Sequence, residues 1–349
     1  MSDKRDDAGT AYRDAGVDID AGQKAVTLMH DAVRSTWDAG VLGQYGAFAG
    51  LYAQSAREGM GDILAVTIDG VGTKVKVGVM CGRYDTVGQD LVNHCVNDLL
   101  VQRARPLLFA DYFACSKIDP EMVAAAVSGM AEACRAANCS LIAGETAEMP
   151  GVYAPGEIDI AGCMIGLAKG EELECAEPVA PGDALIGLES SGLHTNGYSL
   201  ARKILFETAG YGVDTRVAEL GCTVGEELLK IHRPYFPLLH TFLGDPRVHG
   251  LAHLTGGGFY DNVARILPEE CGARIERGSW SVPPVFRLLQ AIGKLPDSEA
   301  YRVFNMGIGM VLAVDPGCVD DIAALVTRLG CPTHVIGEVT EGESQVTVE

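Results

Sequence analysis

The stretch Asp62-Ile63-Leu64-Ala65-Val66-Thr67-Ile68-Asp69-Gly70-Val71-Gly72-Thr73-Lys74 limits what this chain can fold into more than any other. Its apolar, β-branched first half has the length of a buried strand. The run then breaks on an acid, two glycines, a hydroxyl and a lysine. Asp69 can hold a hard cation through oxygen. Gly70 and Gly72 let backbone N–H groups approach an anion with no Cβ in the way, and Lys74 adds a point charge for a phosphate. The same residues also read as a strand, a glycine turn and a solvated lysine. The spacing is neither that of a Walker A loop nor that of the Gly-x-Gly-x-x-Gly fingerprint.

At 349 residues there is room for two domains of ordinary size, and 48% hydrophobic content with 43 glycines suits an α/β protein with many tight turns. The formal charge of −20 repels phosphodiester backbones and anionic bilayers, which argues against nucleic acid or membrane as partner. A nucleotide bound to so acidic a chain requires Mg²⁺ or a few well-placed bases beside it. The 11 cysteines are scattered, with no Cys-x-x-Cys pair and no zinc-site spacing, as expected of free thiols in a reducing cytosol. Met1 to Thr10 is charged and lacks the apolar core of a signal peptide. No apolar run is long enough to span a bilayer, so a cytoplasmic protein is expected.

Along the chain, residues 1–10 read as a tail, while Tyr12 to Gly22 is either tail or a segment that orders over a bound nucleotide. A helix is expected from Ala25 to about Thr36, then a glycine-spaced connector from Gly40 to Gly50. After the Ile63–Lys74 strand and turn, Val75, Val77 and Val79 alternate as in a short strand. Thr86 to Val101 reads as a helix whose Asp90, His94 and Asn97 share one face, with Asp98 beside them. That face is either solvated or a site, and its lack of any lysine or arginine favours a site. Pro106 to Ala114 is a strand carrying Asp111, Ile118 to Asn138 an amphipathic helix, and Ser140 to Glu145 a strand ending in glycine and an acid. Asp69, Asp111 and Glu145 therefore lie on or just past strands, where α/β sheets bind ligands. Carboxylates brought together there call for a divalent cation, and with oxygen donors only that ion is Mg²⁺.

Gly170 to Gly182 reads as a linker, which places the boundary near residue 172: one domain over 1–172 and another over 173–349. The second half opens with a strand, Ala184 to Leu188, then the turn Glu189-Ser190-Ser191-Gly192-Leu193-His194-Thr195-Asn196-Gly197-Tyr198 and a helix from about Ser199. Strand, glycine-rich turn and helix N-terminus make an anion pocket, in which His194 could bind phosphate or shuttle a proton; a turn histidine in water is the plainer alternative. Leu254-Thr255-Gly256-Gly257-Gly258-Phe259 repeats the arrangement. Three successive glycines point to something packed directly against backbone, or to a plain loop.

These blocks, with Tyr12–Gly22, Gly144-Glu145-Thr146-Ala147-Glu148-Met149-Pro150 and Phe304-Asn305-Met306-Gly307-Ile308-Gly309, resemble the phosphoribosylformylglycinamidine cyclo-ligases, also called AIR synthetases. The resemblance runs from about residue 11 to the end of the sequence. The chain departs from the family at Ala143, where a second glycine often precedes Gly144-Glu145. The resemblance implies an α/β (α+β) protein of two domains: an N-terminal mixed sheet with helices that pairs with a second copy into a β-barrel, and a C-terminal α/β sandwich. It implies ATP-dependent closure of formylglycinamidine ribonucleotide to aminoimidazole ribonucleotide, with Mg²⁺, in a homodimer. On that basis Asp69, Asp98 and Glu145 hold the metal. Gly70, Gly72, Thr73, Lys74, Asp90, Asn97, Gly256 and Gly257 contact ATP. His194, Asn196 and Lys74 are catalytic, Gly258 joins the substrate contacts, and Asp111 supports the metal from behind.

Relatives with the same architecture are the alternatives. Selenophosphate synthetase needs a reactive cysteine near its N-terminus, whereas the first cysteine here is Cys81. The hydrogenase-maturation member ends in a cysteine; this sequence ends Thr347-Val348-Glu349. The amidotransferase that makes the ribonucleotide is much longer. Thiamine-phosphate kinase remains, but the blocks at 190–198 and 254–258 argue against it. A non-catalytic nucleotide-binding scaffold is disfavoured by the presence of Asp69, Lys74 and Glu145.

Overall fold

Two six-stranded mixed sheets carry the chain in a computed structural model that describes residues 10–37, 39–42, 47–53, 62–174, 177–343 and 345–349. The tail over residues 1–9, residues 43–46 of the connector expected from Gly40 to Gly50, and residues 175–176 of the expected linker lie outside the described residues. Two compact units emerge. One, here the N-terminal unit, comprises Met29–Ala176 and Leu229–Pro246; the other, the C-terminal unit, comprises Met1–Leu28, Glu177–Leu228 and Arg247–Glu349. A single cut near residue 172 therefore describes only part of the division: the first 28 residues and the 229–246 segment each belong with the opposite half.

The chain opens with α1 (Thr10–Asp14) and α2 (Ile19–Arg34). The N-terminal unit then supplies β1 (Val41–Leu42), β2 (Gly50–Ala53), β3 (Asp62–Gly70), α3 (Lys74–Cys81), α4 (Asp85–Val101), β4 (Arg105–Cys115), α5 (Pro120–Ala136), β5 (Ser140–Glu148), β6 (Ile158–Lys169) and the short α6 (Gly170–Glu174). Its sheet order is β1-β2-β3-β6-β4-β5. Among the described residues of this sheet only β4 and β5 pair in parallel, but β6 is antiparallel to both β3 and β4, so β3, β4 and β5 all run the same way. Helix α4 packs against β3, β4 and β6, and α5 packs on α4. The two helices approach so closely that a Cβ on Gly88 would lie 2.0 Å from the Ala126 carbonyl oxygen, and one on Gly129 would lie 1.9 Å from that of Asp85. Pro120 in its first turn and the Asp119 carboxylate, which accepts from the N–H groups of Glu121 and Met122, start α5.

Val75, Val77 and Val79 form no strand; they lie in α3. The buried positions Lys74, Val75, Val77 and Gly78 fall on one helical face, and Gly82 ends the helix in a left-handed conformation. In so short a segment the helical and alternating patterns overlap, and the glycine turns at either end decide between them.

The C-terminal unit is built from β7 (Ala184–Glu189), α7 (Tyr198–Arg202), the small pair β8 (Arg216–Val217) and β9 (Cys222–Thr223), and α8 (Val224–Leu228). After α9 (Phe236–Leu239), which belongs to the N-terminal unit, it continues with β10 (Val248–His253), α10 (Gly258–Ala264), β11 (Cys271–Ile275), α11 (Pro284–Gly293), α12 (Asp297–Val303), β12 (Ile308–Val314), α13 (Val319–Arg328), β13 (Thr333–Glu341) and β14 (Val346–Val348). The helix expected from Ser199 to Glu207 is α7, prolonged by a π-helical stretch over Lys203–Thr208. The sheet order is β10-β12-β7-β13-β11-β14. Every residue of β12 is buried, as its central position requires. Because β12 is antiparallel to both neighbours, the ends of β7 and β10 and the start of β12 meet at one edge of the sheet.

Candidate functional site

In the N-terminal unit, strand register aligns the acids. Asp69 pairs with Gly162, Gly162 with Asp111, and Asp111 with Gly144. Paired residues share a face, and a Cβ on Gly144 would meet the Asp111 carboxylate at 2.6 Å. Asp69 and Asp111 thus stand on the helix-covered face. Glu145 is one position further along and paired with Tyr112, so it leaves the sheet on the other face and is exposed. The expected convergence of Asp69 with Glu145 therefore does not form within this unit: the pleat sends them to opposite sides.

What does surround Asp69 is the α4 face. His94 Nε2 lies 2.9 Å from the Asp69 carboxylate and 3.9 Å from that of Asp98. Burial alone would draw the imidazole down, but Asp69, then Asp98 and Asp90, outweigh it and hold its pKa up at about 9. The two carboxylates already flank one cation. As oxygen donors beside the Gly70–Thr73 turn they also suit a hard ion such as Mg²⁺. In that turn the Gly70 N–H donates to Asp69 Oδ1 at 2.6 Å, Gly72 takes φ +66°, and Thr73 precedes α3 without capping it through its side chain.

Lys74, Asp90 and Asn97 are all fully buried and fully engaged. Lys74 Nζ lies 2.7 Å from Asp90 Oδ2 and donates to the Lys230 carbonyl at 2.7 Å. Burial pulls the lysine down and pushes Asp90 up, each opposed by the other's charge. Asp90 also accepts from the His232 N–H at 2.7 Å. Asn97 accepts from the Tyr235 N–H at 2.8 Å and donates to the Arg233 carbonyl at 2.9 Å. Asn93, which the sequence did not single out, donates to the His232 carbonyl at 2.8 Å. The backbone between Lys230 and Tyr235 has no regular structure, so these side chains supply the partners its buried polar groups require. The polar stripe of α4 is thus neither solvated nor open to phosphate at 90, 93 and 97: it fastens the 229–246 segment. The i, i+3, i+7 spacing from Asp90 would have added Asn93; no signal in Ile231-His232-Arg233-Pro234-Tyr235 announces its partner.

In the C-terminal unit, three turns meet at one sheet edge. The Ser190 N–H donates to the Gly307 carbonyl at 2.8 Å and that of Leu254 to the Gly309 carbonyl at 3.0 Å. Asn305 binds the first turn to the third: its amide nitrogen donates to the Gly192 carbonyl, and its oxygen accepts from the Ser190 hydroxyl and the Gly307 N–H. Asn262 closes the glycine turn, donating to the carbonyls of Thr255, Gly256 and Gly258. His194 is buried with φ +62°, and its Nε2 accepts the Ser191 N–H at 3.2 Å; in the neutral ring the proton then sits on Nδ1. Asn196 Oδ1 is 3.5 Å from where a Cβ on Gly256 would lie. His194, Asn196, Gly256 and Gly257 are thereby brought into neighbouring turns of one unit. Gly258 is held for a different reason: its Cβ would fall 2.0 Å from the Tyr301 carbonyl oxygen.

Comparison with known proteins supplies the family. The AIR synthase related protein N-terminal domain matches residues 38–168 and the C-terminal domain matches 180–349. Phosphoribosylformylglycinamidine cyclo-ligase of Geobacillus thermodenitrificans is 49% identical over 332 residues, 95% of this chain and 96% of that protein. The protein of the same name from Alkaliphilus metalliredigens is 44% identical over 97% of each. Among solved structures, thiamine-monophosphate kinase of Stenotrophomonas maltophilia superposes with a TM-score of 0.59 at 17% identity, covering 92% of this chain and 95% of that one. Escherichia coli HypE superposes with a TM-score of 0.59 at 21% identity over 93% of each; these two likenesses speak for the fold alone. On the strength of near-full-length identity approaching one half, this chain belongs to the phosphoribosylformylglycinamidine cyclo-ligase family of AIR synthase related proteins.

Proposed function

We propose that the chain closes the imidazole ring of aminoimidazole ribonucleotide, using ATP and releasing ADP and phosphate. The carrying observation is its likeness, over 95% of its length, to proteins named for that reaction. An amide oxygen is a poor leaving group. The formamide oxygen attacks the γ-phosphorus of ATP, giving an imidate phosphate and ADP. The amidine nitrogen then attacks the same carbon, the C–O bond breaks, and phosphate leaves. Both nucleophile and electrophile belong to one molecule, so positioning supplies much of the rate. Phosphoryl transfer mainly asks for alignment and charge neutralisation.

Asp69 and Asp98 are the ligands proposed for Mg²⁺, which when bound offsets triphosphate charge. The Gly70–Thr73 turn, opening α3, offers N–H groups to phosphate oxygens. Lys74, Asp90 and Asn97 act one step back, by holding the 230–235 backbone. The His194–Asn196 turn and Gly256–Gly257 receive the ribonucleotide. A structure of HypE has been solved with ATP, and one of PurL from T. maritima with AMPPCP, which supports a nucleotide site in this architecture.

Glu145 shares its face with Tyr52, Val66, Ile68 and Tyr112, large side chains that are all exposed. A second copy covering that face would make the proposed homodimer and bring new neighbours to Glu145.

The decisive assay is ADP release with formylglycinamidine ribonucleotide against release with thiamine phosphate. Turnover with the first alone is expected; turnover with only the second, or with neither, overturns the proposal. Asp69→Asn should lower kcat/KM by about a hundredfold; retained activity would remove the metal assignment.

A further inference from the structure

The first described residues lie across the C-terminal unit. Ala11 and Tyr12 both donate their backbone N–H groups to Glu299 Oε1, at 2.8 and 3.2 Å. Glu299 is buried on α12. Burial raises the Tyr12 phenol, and the nearby Gly197 backbone N–H opposes that shift. Lys203 Nζ donates to the Asp14 carbonyl at 2.8 Å, and Arg302, also on α12, donates to Asp20 at 2.8 Å. Further on, Gln23 Nε2 donates to Asp261 Oδ2 at 2.9 Å. That carboxylate lies against Gly257, where a Cβ would meet it at 2.4 Å.

One short segment thus reaches two of the glycine turns, at Gly197 through Tyr12 and at Gly257 through Gln23 and Asp261. Both turns need outside support. His194 and Gly197 take positive φ at 62° and 77°, and Gly257 at 94°. A non-glycine residue held there persists only where its surroundings over-determine it. A carboxylate accepting two backbone N–H groups is a charge-assisted anchor. Its position on α12 matters, because the same helix places the Tyr301 carbonyl against Gly258 and leads into Phe304, whose ring packs on Gly197.

We infer that residues 10–23 form a fixed wall of the ribonucleotide site, with Tyr12 and Glu299 as positioning residues for the turn that carries His194 and Asn196. This rests on the reading of those turns as the substrate's site. Tyr12 supplies the oxygen near the Gly197 N–H. Glu299 holds the segment that presents Tyr12.

Three variants of the full chain test it. Tyr12→Phe keeps the ring and removes the oxygen, Glu299→Ala removes the anchor, and Glu299→Gln keeps one acceptor. Tyr12→Phe and Glu299→Ala should raise KM for formylglycinamidine ribonucleotide about tenfold, the worth of one hydrogen bond. KM for ATP should stay within about twofold, and Glu299→Gln should recover most of the loss. Tryptic cleavage after Arg13 should quicken in Glu299→Ala and slow in the wild type when the ribonucleotide is added. An unchanged ribonucleotide KM in Tyr12→Phe and Glu299→Ala overturns the inference. So does an equal rise in both KM values that tracks a fall in Tm, which would mark a merely structural anchor. A wild type without turnover sinks the functional reading instead, and the wall then stands or falls on whether the ribonucleotide protects Arg13 from trypsin.

Discussion

The α4 face of the N-terminal unit and the glycine turns of the C-terminal unit are both rich in features of a ligand site, and they use them in opposite ways. On α4, Asp90, Asn93 and Asn97 are buried because the backbone of Lys230–Tyr235 needs them. In the turns, Asn262 and Asn305 satisfy loop backbone in the same manner, yet leave room at Gly256, where a Cβ would stand 3.5 Å from Asn196 Oδ1. A buried polar side chain is therefore a question about hydrogen-bond partners before it is a claim about ligands. Where the protein's own backbone answers, no substrate need be invoked.

Breaking the α4 clamp tests this most strongly. Asp90→Ala leaves Lys74 buried without its counter-charge and should cost about 3–5 kcal/mol in denaturant unfolding. The double substitution Lys74→Met/Asp90→Leu should recover much of that. A stable Asp90→Ala protein that had lost only ATP affinity would return α4 to the ligand side of the comparison.

Next comes pH, in buffer without divalent ions. His94 has a folded pKa of about 9 against 6.5 for the free side chain. Its protonation stabilises the fold fully below pH 6.5, and that contribution is lost as pH rises through about 9. At 1.36 kcal/mol per unit the loss is about 3 kcal/mol, read from unfolding midpoints across that window. His94→Gln should flatten the curve.

Gly258→Ala comes third. It drives a Cβ into the Tyr301 carbonyl at φ +60° and should cost about 2–3 kcal/mol in thermal unfolding. Asp119→Ala removes the cap of α5, far in sequence from either set of turns, and should cost about 1 kcal/mol without altering KM. The smallest expected stability change sharpens the comparison most. Gly256 has space for a methyl group and no positive φ, so Gly256→Ala should shift stability by less than about 0.5 kcal/mol. If ligand packs on that backbone, KM rises all the same; if neither quantity moves, the glycine turn is only a loop.

Much of the architecture was legible because it is periodic. Thr86–Val101 and Ile118–Asn138 read as helices and became α4 and α5, and the strand read at Pro106–Ala114 became β4. The valines after Lys74 misled because a two-turn helix and a short strand bury overlapping sets of positions. At the site, the glycine turns were recognisable as turns, and Asn196 was singled out beside them, but Asn305 appeared only as a motif letter and Asn262 not at all. Glu145 could not be placed by composition: one step along β5 decides its face, and bulges between β4 and its neighbours shift the count.

Local chemistry, readable in the residues alone, determined where strands end, where glycines must turn the chain, and to which family the blocks belong. Tertiary structure alone decided which polar groups are spent inside the protein. The nitrogen beside Asn97 belongs to His232, 135 positions away, and the acceptor for Tyr12 belongs to Glu299, 287 positions away. A hydrogen bond is satisfied by proximity in space, and that is a property of the folded chain, not of its order.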